Sequence, residues 1–154
     1  MALSDANLRE LIRNGEICIE PFEESNITPA GYDLRSSKEI TLSRGEQELL
    51  ATLERIELAA NLLGILHLKS SFAREGLFAS LAVVDPGFKG QLTVSLLNSG
   101  GDPLRIGLGE PFLQLTLIQL STRSESPYGG RYQESSGIVR SKRKLQTTNS
   151  SKEA

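Results

Sequence analysis

Leu81-Ala-Val-Val-Asp-Pro-Gly-Phe-Lys-Gly-Gln-Leu-Thr-Val-Ser-Leu-Leu-Asn98 sets two short apolar blocks, Leu81–Val84 and Leu92–Leu97, on either side of a turn signal, Asp85-Pro-Gly87. Proline fixes φ and glycine accepts backbone conformations that other residues avoid, so the chain turns there instead of extending one strand. The pattern continues outward. Ile17–Ile19, Glu39–Leu42, Glu48–Leu53, Arg55–Leu58 and Gly64–Leu68 precede it, and Leu104–Ile106 and Phe112–Leu120 follow. Turn residues separate them at Asn26–Pro29, Ser43–Gly45, Asn98–Pro103 and Gly107–Gly109. Many short strands between regular turns predict an all-β sandwich or barrel. A helix precedes it. Ser4 caps, Asp5 suits the positive helix end, and Leu8, Leu11 and Ile12 share one face. Leu3 is placed to staple against Leu8, and Gly15 stops the helix.

The 154 residues are the size of one domain, with a formal charge of -2 and a 38% hydrophobic content. That charge gives no sign of a nucleic-acid coat or a membrane-seeking surface. No apolar run reaches the ~20 residues that cross a bilayer, and the N-terminus lacks the layout of a signal peptide. A single cysteine, Cys18, excludes an internal disulfide and fits a reducing compartment. The expectation is a cytoplasmic domain with no nucleic-acid or membrane partner. Cys18 and His67 are the only residues of their types, so the His/Cys cluster of a zinc-dependent base deaminase cannot be built. No P-loop motif occurs. Ser-His-Asp catalysis would need His67, which sits in a strand-like block where histidine is more often structural.

Two stretches leave alternatives open. Phe112–Leu120 places Gln114, Thr116 and Gln119 among apolar neighbours. That suits a strand flanked by the core and another subunit, and equally an edge strand with a wet face. From Ser121 onward the apolar blocks stop. This tail carries Tyr128, Arg131, Tyr132, Gln133, Arg140, Lys142, Arg143 and Lys144. Such a set is able to order over an anionic ligand; a solvated basic tail is the plainer reading.

Four segments taken together resemble the dUTPase/dCTP deaminase superfamily: Pro29-Ala-Gly-Tyr-Asp-Leu-Arg-Ser36, Lys69-Ser-Ser-Phe-Ala-Arg-Glu-Gly76, Val84-Asp-Pro-Gly-Phe-Lys-Gly90 and Pro127-Tyr-Gly-Gly-Arg-Tyr-Gln133. The helix-first layout, Ala73-Arg74 and the tail motif place the chain nearest the archaeal-type dUTPases of the deaminase-like branch. The resemblance implies a distorted β-barrel or jelly-roll-like fold (the β-clip) with a short N-terminal helix. It implies one domain over residues 1–144, with Ser121–Lys144 as a closing tail and residues 145–154 as a disordered C-terminus. It also implies a homotrimer with active sites between subunits, and Mg²⁺ arriving on the triphosphate rather than in a protein cage.

The resemblance further implies residue roles. Lys69, Ser70, Ser71 and Arg74 hold the phosphates, with Lys69 where relatives usually show arginine, so charge is kept and bidentate geometry lost. Asp85 meets the deoxyribose 3′-hydroxyl and serves as the catalytic carboxylate that orients or deprotonates water. Phe88 packs under the sugar, and Gln114, Tyr128, Arg131 and Gln133 complete the substrate-binding set. Asp33 either reaches the metal through water or organises its own turn.

Ser95 separates the activities. In the superfamily's dCTP deaminases a glutamate at this position shuttles protons while water replaces the cytosine amine. A serine has no acid–base pKa near neutrality, and such catalysis typically supplies ~10²–10⁴-fold. The expected activity is therefore hydrolysis of dUTP to dUMP and pyrophosphate. The alternatives are a dCTP deaminase or bifunctional enzyme, with a glutamate such as Glu75 serving from elsewhere, and a non-catalytic nucleotide-binding relative.

Overall fold

The computed structural model describes residues 1–144; the expected disordered C-terminus, 145–154, lies outside them. The chain runs α1 (Asp5–Arg13), β1 (Ile17–Glu20), β2 (Ile27–Thr28), β3 (Gly31–Arg35), β4 (Ile40–Leu42), β5 (Gln47–Leu58), β6 (Leu62–Leu68), α2 (Ser70–Arg74), β7 (Leu77–Ser80), β8 (Val83–Val84), β9 (Lys89–Asn98), β10 (Leu104–Ile106) and β11 (Pro111–Gln119). Ser4 caps α1 and forms a capping box with Asn7, and Gly15 turns the chain out with φ of 71°. Leu8 and Leu11 bury the helix's inner face.

The strands form an antiparallel four-stranded sheet in the order β1-β5-β9-β7, a five-stranded sheet in the order β2-β3-β11-β6-β8, and the pair β10-β4. One apolar core joins them, with Leu34, Leu50, Ile56, Leu62, Leu96 and Phe112 fully buried. The mainly-β reading with an N-terminal helix therefore holds. Both large sheets keep free edges, so the described residues make an open, jelly-roll-like arrangement rather than a closed barrel. β11 is paired on both sides, with β3 and β6, which rules out the edge-strand reading of that stretch.

Three local features differ from the pattern in the sequence. The blocks Glu48–Leu53 and Arg55–Leu58 are one strand, β5, whose register against β9 shifts between Ala51 and Arg55. A bulge keeps a strand continuous while re-aiming its side chains. Thr52 Oγ1 steadies it by donating to the Glu54 carbonyl at 2.8 Å and accepting Leu92 N–H at 3.0 Å. Glu54, fully buried, accepts from Arg35 Nε at 2.6 Å and from the Arg35 backbone N–H at 2.9 Å. Removing one partner of such a pair typically costs about 3–5 kcal/mol. Secondly, Ser70–Arg74 is one helical turn, anchored by buried Phe72. Thirdly, Leu77–Ser80 adds a short edge strand beside β9.

Candidate functional site

Asp85-Pro86-Gly87 lies between β8 and β9, and the tail is fastened to it. Tyr128 N–H donates to the Pro86 carbonyl at 2.8 Å. The Gln133 amide accepts Lys89 N–H at 2.9 Å and donates to the carbonyls of Gly87 at 2.9 Å and Tyr128 at 3.2 Å. The tail then runs beside the start of β9. Glu134 N–H donates to the Lys89 carbonyl and Gln91 N–H to the Ser135 carbonyl, each at 2.8 Å. Gly87 and Gly90 make this approach possible, since a Cβ on either would stand 2.7 Å from Pro127 Cβ or 2.8 Å from Ser135 N respectively. Their φ values, 86° and 143°, also lie where other residues are strained. The tail expected to close over a ligand lies on the core here, where its backbone finds partners.

Turn, β9 and tail enclose a cavity of about 580 Å³. Asp85, Phe88 and Tyr128 line it together, the two rings 5.7 Å apart and tilted by 57°. Leu49, Ala82, Val83, Leu92 and Val139 give it apolar walls. Asp85 is exposed, and it is the one carboxylate among the lining residues described. Gln91, Thr93 and Ser95, at alternate positions of β9, line it too. Gln91 is fixed from both sides: its amide donates to the Thr52 carbonyl at 2.8 Å and accepts Gly137 N–H at 2.5 Å. Thr93 Oγ1 accepts Val139 N–H at 3.1 Å. Only Ser95 of these had been singled out from sequence; the i, i+2 period of a strand was the available signal for the other two.

Lys69, Ser70, Ser71, Arg74 and Gln114 do not line this cavity. Gln114 lies on β11 and Lys69 directly after β6, both in the five-stranded sheet, while Ser70, Ser71 and Arg74 follow on α2, which packs against β7. Asp33, Gln114 and His67 are registered opposite one another across β3, β11 and β6, which places their side chains in one row. Gln114 Nε2 donates to Thr28 Oγ1 at 2.7 Å. The Lys69 ammonium is ion-paired with the Asp33 carboxylate. Ser70, Ser71 and Arg74 are exposed on α2. Tyr32, beside Asp33, is fully buried; its hydroxyl accepts Glu23 N–H at 2.9 Å and its ring stacks on Phe22. Burial pushes its phenol above the ordinary pKa. Arg131, outside the cavity lining, donates to the Lys142 carbonyl at 3.2 Å, and Lys142 Nζ returns a bond to the Arg131 carbonyl at 2.8 Å.

The family described as dCTP deaminase-like matches residues 2–48 and 36–120. A Pyrococcus horikoshii protein named dCTP deaminase is 39% identical, over 94% of this chain and 99% of its own length. A protein of Sulfolobus islandicus rod-shaped virus 1, named "Probable deoxyuridine 5'-triphosphate nucleotidohydrolase", is 34% identical over 92% of this chain and 99% of its own length. Among solved structures, the dCTP deaminase of Agrobacterium tumefaciens superposes with a TM-score of 0.66 at 16% identity, over 75% of this chain and 47% of that one. The EIAV dUTPase superposes with a TM-score of 0.58 at 24% identity, over 75% and 98%. Both structural likenesses speak for the fold alone. The family model and the sequence matches show that this chain belongs to the dCTP deaminase-like family of the dUTPase/dCTP deaminase superfamily.

Proposed function

We propose that the protein hydrolyses dUTP to dUMP and pyrophosphate. The observation that carries this reading is the cavity's acid–base content: Asp85 is its one carboxylate among the described residues, and Ser95 lines it at the position where, by the family resemblance, a deaminating site carries its proton-shuttling glutamate. Hydrolysis asks less of the cavity. Water adds to the α-phosphorus, the bridge to the β-phosphorus breaks, and one carboxylate takes the proton as the new P–O bond forms. Asp85 is that base, and Phe88 and Tyr128 pack the sugar beside it.

The phosphates belong with Lys69, Ser70, Ser71 and Arg74, an ammonium, two hydroxyls and a guanidinium on one short segment. Because these lie outside the cavity of a single chain, a complete site needs neighbouring copies, and we assign the assembly as a homotrimer. No group of three or more metal-binding side chains occurs among the described residues. Mg²⁺ would come carried by the triphosphate, held through water by Asp33, while Lys69 would exchange Asp33 for phosphate. When bound, the metal offsets charge on the phosphates and the departing pyrophosphate.

The second reading, deamination of dCTP, is favoured by the name of the Pyrococcus horikoshii relative. One assay decides. Purified protein is given dUTP or dCTP with Mg²⁺ while pyrophosphate, dUMP and ammonia are followed. Pyrophosphate from dUTP without ammonia from dCTP is the expected result. Ammonia release from dCTP above about 0.1 per second would defeat the argument from Ser95.

A further inference from the structure

We infer that Glu134 is a positioning residue: through its ion pair with Arg55 it holds the tail turn Tyr132–Ser135 as one wall of the cavity. The inference rests on the dUTP reading for what the wall encloses, and on the geometry of the turn for how it is held. Tyr132 and Ser135 line the cavity, and Glu134, between them, does not. Ser135 N–H donates to the Tyr132 carbonyl at 3.2 Å, closing a four-residue turn with Gln133 and Glu134 at its centre. Glu134 has φ of 60° there, the only residue other than glycine with a positive φ among the described residues. Glycine and asparagine fill such a turn position most readily, since a Cβ crowds the following carbonyl and only a short polar side chain offsets this by bonding locally. A glutamate at this place needs an outside hold.

Arg55 supplies it. Arg55 and Glu57 share one face of β5, registered opposite Gln91 and Lys89 of β9, the stretch that the tail follows. The Arg55 guanidinium donates to the Glu57 and Glu134 carboxylates through different nitrogens, and Lys89 Nζ lies 4.0 Å from Glu57. Two cations and two anions form a neutral group, and Glu134 is the member that the tail contributes. On either side of it the tail is anchored to β9, Gln133 by its amide on Lys89 N–H and Ser135 by its carbonyl on Gln91 N–H. Releasing the Glu134 side chain therefore frees the turn that joins these anchors. The side chains of Arg55 and Glu134 are 36% and 59% exposed, so the pair is weak, about twofold to fivefold in an opening equilibrium. That strength suits a wall that opens to admit a ligand.

The test uses full-length protein and two readouts: amide hydrogen exchange without nucleotide, and binding and turnover with Mg²⁺ present. Glu134→Gln and Arg55→Gln should each speed exchange at the Glu134 and Gln91 N–H groups about threefold. Each should weaken the non-hydrolysable imido analogue dUpNHpp by a similar factor in titration calorimetry and leave kcat for dUTP within twofold. An open tail lowers the binding-competent fraction without changing the bound state. The double variant should be no worse than either single one, as two partners of one pair require. Arg55→Lys, which keeps the charge, should stay nearer wild type than Arg55→Gln. Arg55 also serves Glu57, so Glu134→Gln carries the test should Arg55→Gln fail to fold. Additive losses in the double variant, a fall in kcat with binding unchanged, or wild-type exchange in Glu134→Gln would overturn the assignment. Hydrolysis by wild type, measured separately, keeps the two claims apart. Exchange that follows the expected pattern in a protein releasing no pyrophosphate from dUTP defeats the hydrolase reading alone. Pyrophosphate release with exchange and binding unchanged in both single variants defeats this inference alone.

Discussion

Around the Asp85 turn, core and tail hold each other through Gln133, Gln91 and a run of backbone bonds. Around α2, Ser70, Ser71 and Arg74 stand exposed, and Lys69 is paired only with Asp33 among the described residues. The first region is finished within one chain, down to the glycines that admit the tail. The second presents a charged, hydroxyl-bearing segment that folding alone has not committed. A site for a nucleoside triphosphate asks for both: a shaped, largely pre-formed place for base and sugar, and donors free to be claimed by phosphate. On the proposed reading, one chain builds the nucleoside half and meets the phosphate half of a neighbour.

The largest effect should come from Asp85→Asn, which keeps the side chain's shape and removes its basicity. Turnover of dUTP should fall by about 10²–10⁴-fold, while dUpNHpp binding stays within about tenfold. Near-normal turnover would free Asp85 of the role of base and leave the nucleoside half a binding site only.

Gly90→Ala attacks the same region by displacement. Its methyl group would meet Ser135 N and O at 2.8 and 2.9 Å, so the tail has to move. A displaced tail should cost about 10²-fold in turnover, the scale of a roughly 1 Å misplacement, and the strained backbone at position 90 should lower the core's unfolding temperature as well. Turnover within twofold of wild type, with the tail newly sensitive to trypsin, would show that tail docking and catalysis are independent.

The phosphate half predicts a different signature. Lys69→Ala and Arg74→Ala should each weaken dUpNHpp by about tenfold to a hundredfold, the range of a charge-assisted bond, and leave dUMP within about threefold. Equal losses for both ligands would contradict a phosphate role. Sedimentation belongs to the same comparison: a particle near three times 16.8 kDa is expected, and a fully active monomer would mean that α2 and the cavity need no neighbour.

Legibility followed the kind of interaction. Block-and-turn spacing was enough for most strands, because apolar period and turn chemistry are local. It split β5 in two, since Thr52-Leu53-Glu54 carries a buried charge whose partner, Arg35, lies on another strand. It missed α2, a single turn held by Phe72 rather than by propensity. Within the site, Asp85, Phe88 and Tyr128 were readable by resemblance and do share the cavity. Gln133 was read as a ligand group from composition and resemblance, but neither could show that its amide spans the Asp85 turn. Nor could they show Lys69 resting on Asp33, because both contacts arise from long-range packing.

Gln133 also supplies the gentlest way to sharpen the comparison. Its amide makes three bonds to backbone groups of Gly87, Tyr128 and Lys89. Each is worth about 0.5–1.5 kcal/mol net, and water can replace part of that at this partly exposed place. Gln133→Ala should therefore loosen the tail by about 1–2 kcal/mol without reaching the sheets, because local opening draws only on the contacts that break. The readout is amide hydrogen exchange. Tyr128, Gln91 and Glu134, whose N–H groups join tail to turn and strand, should exchange about tenfold faster, while Val94 and Leu50, paired deeper along β9 and β5, keep their protection. Gln133→Glu should lie between, since a carboxylate can still accept from Lys89 N–H but no longer donates. Faster exchange throughout β9 would mean that tail and core unfold as one unit. Unchanged exchange at Tyr128 and Glu134 would mean that the backbone bonds suffice, releasing Gln133 for the ligand-binding role that its sequence context suggests.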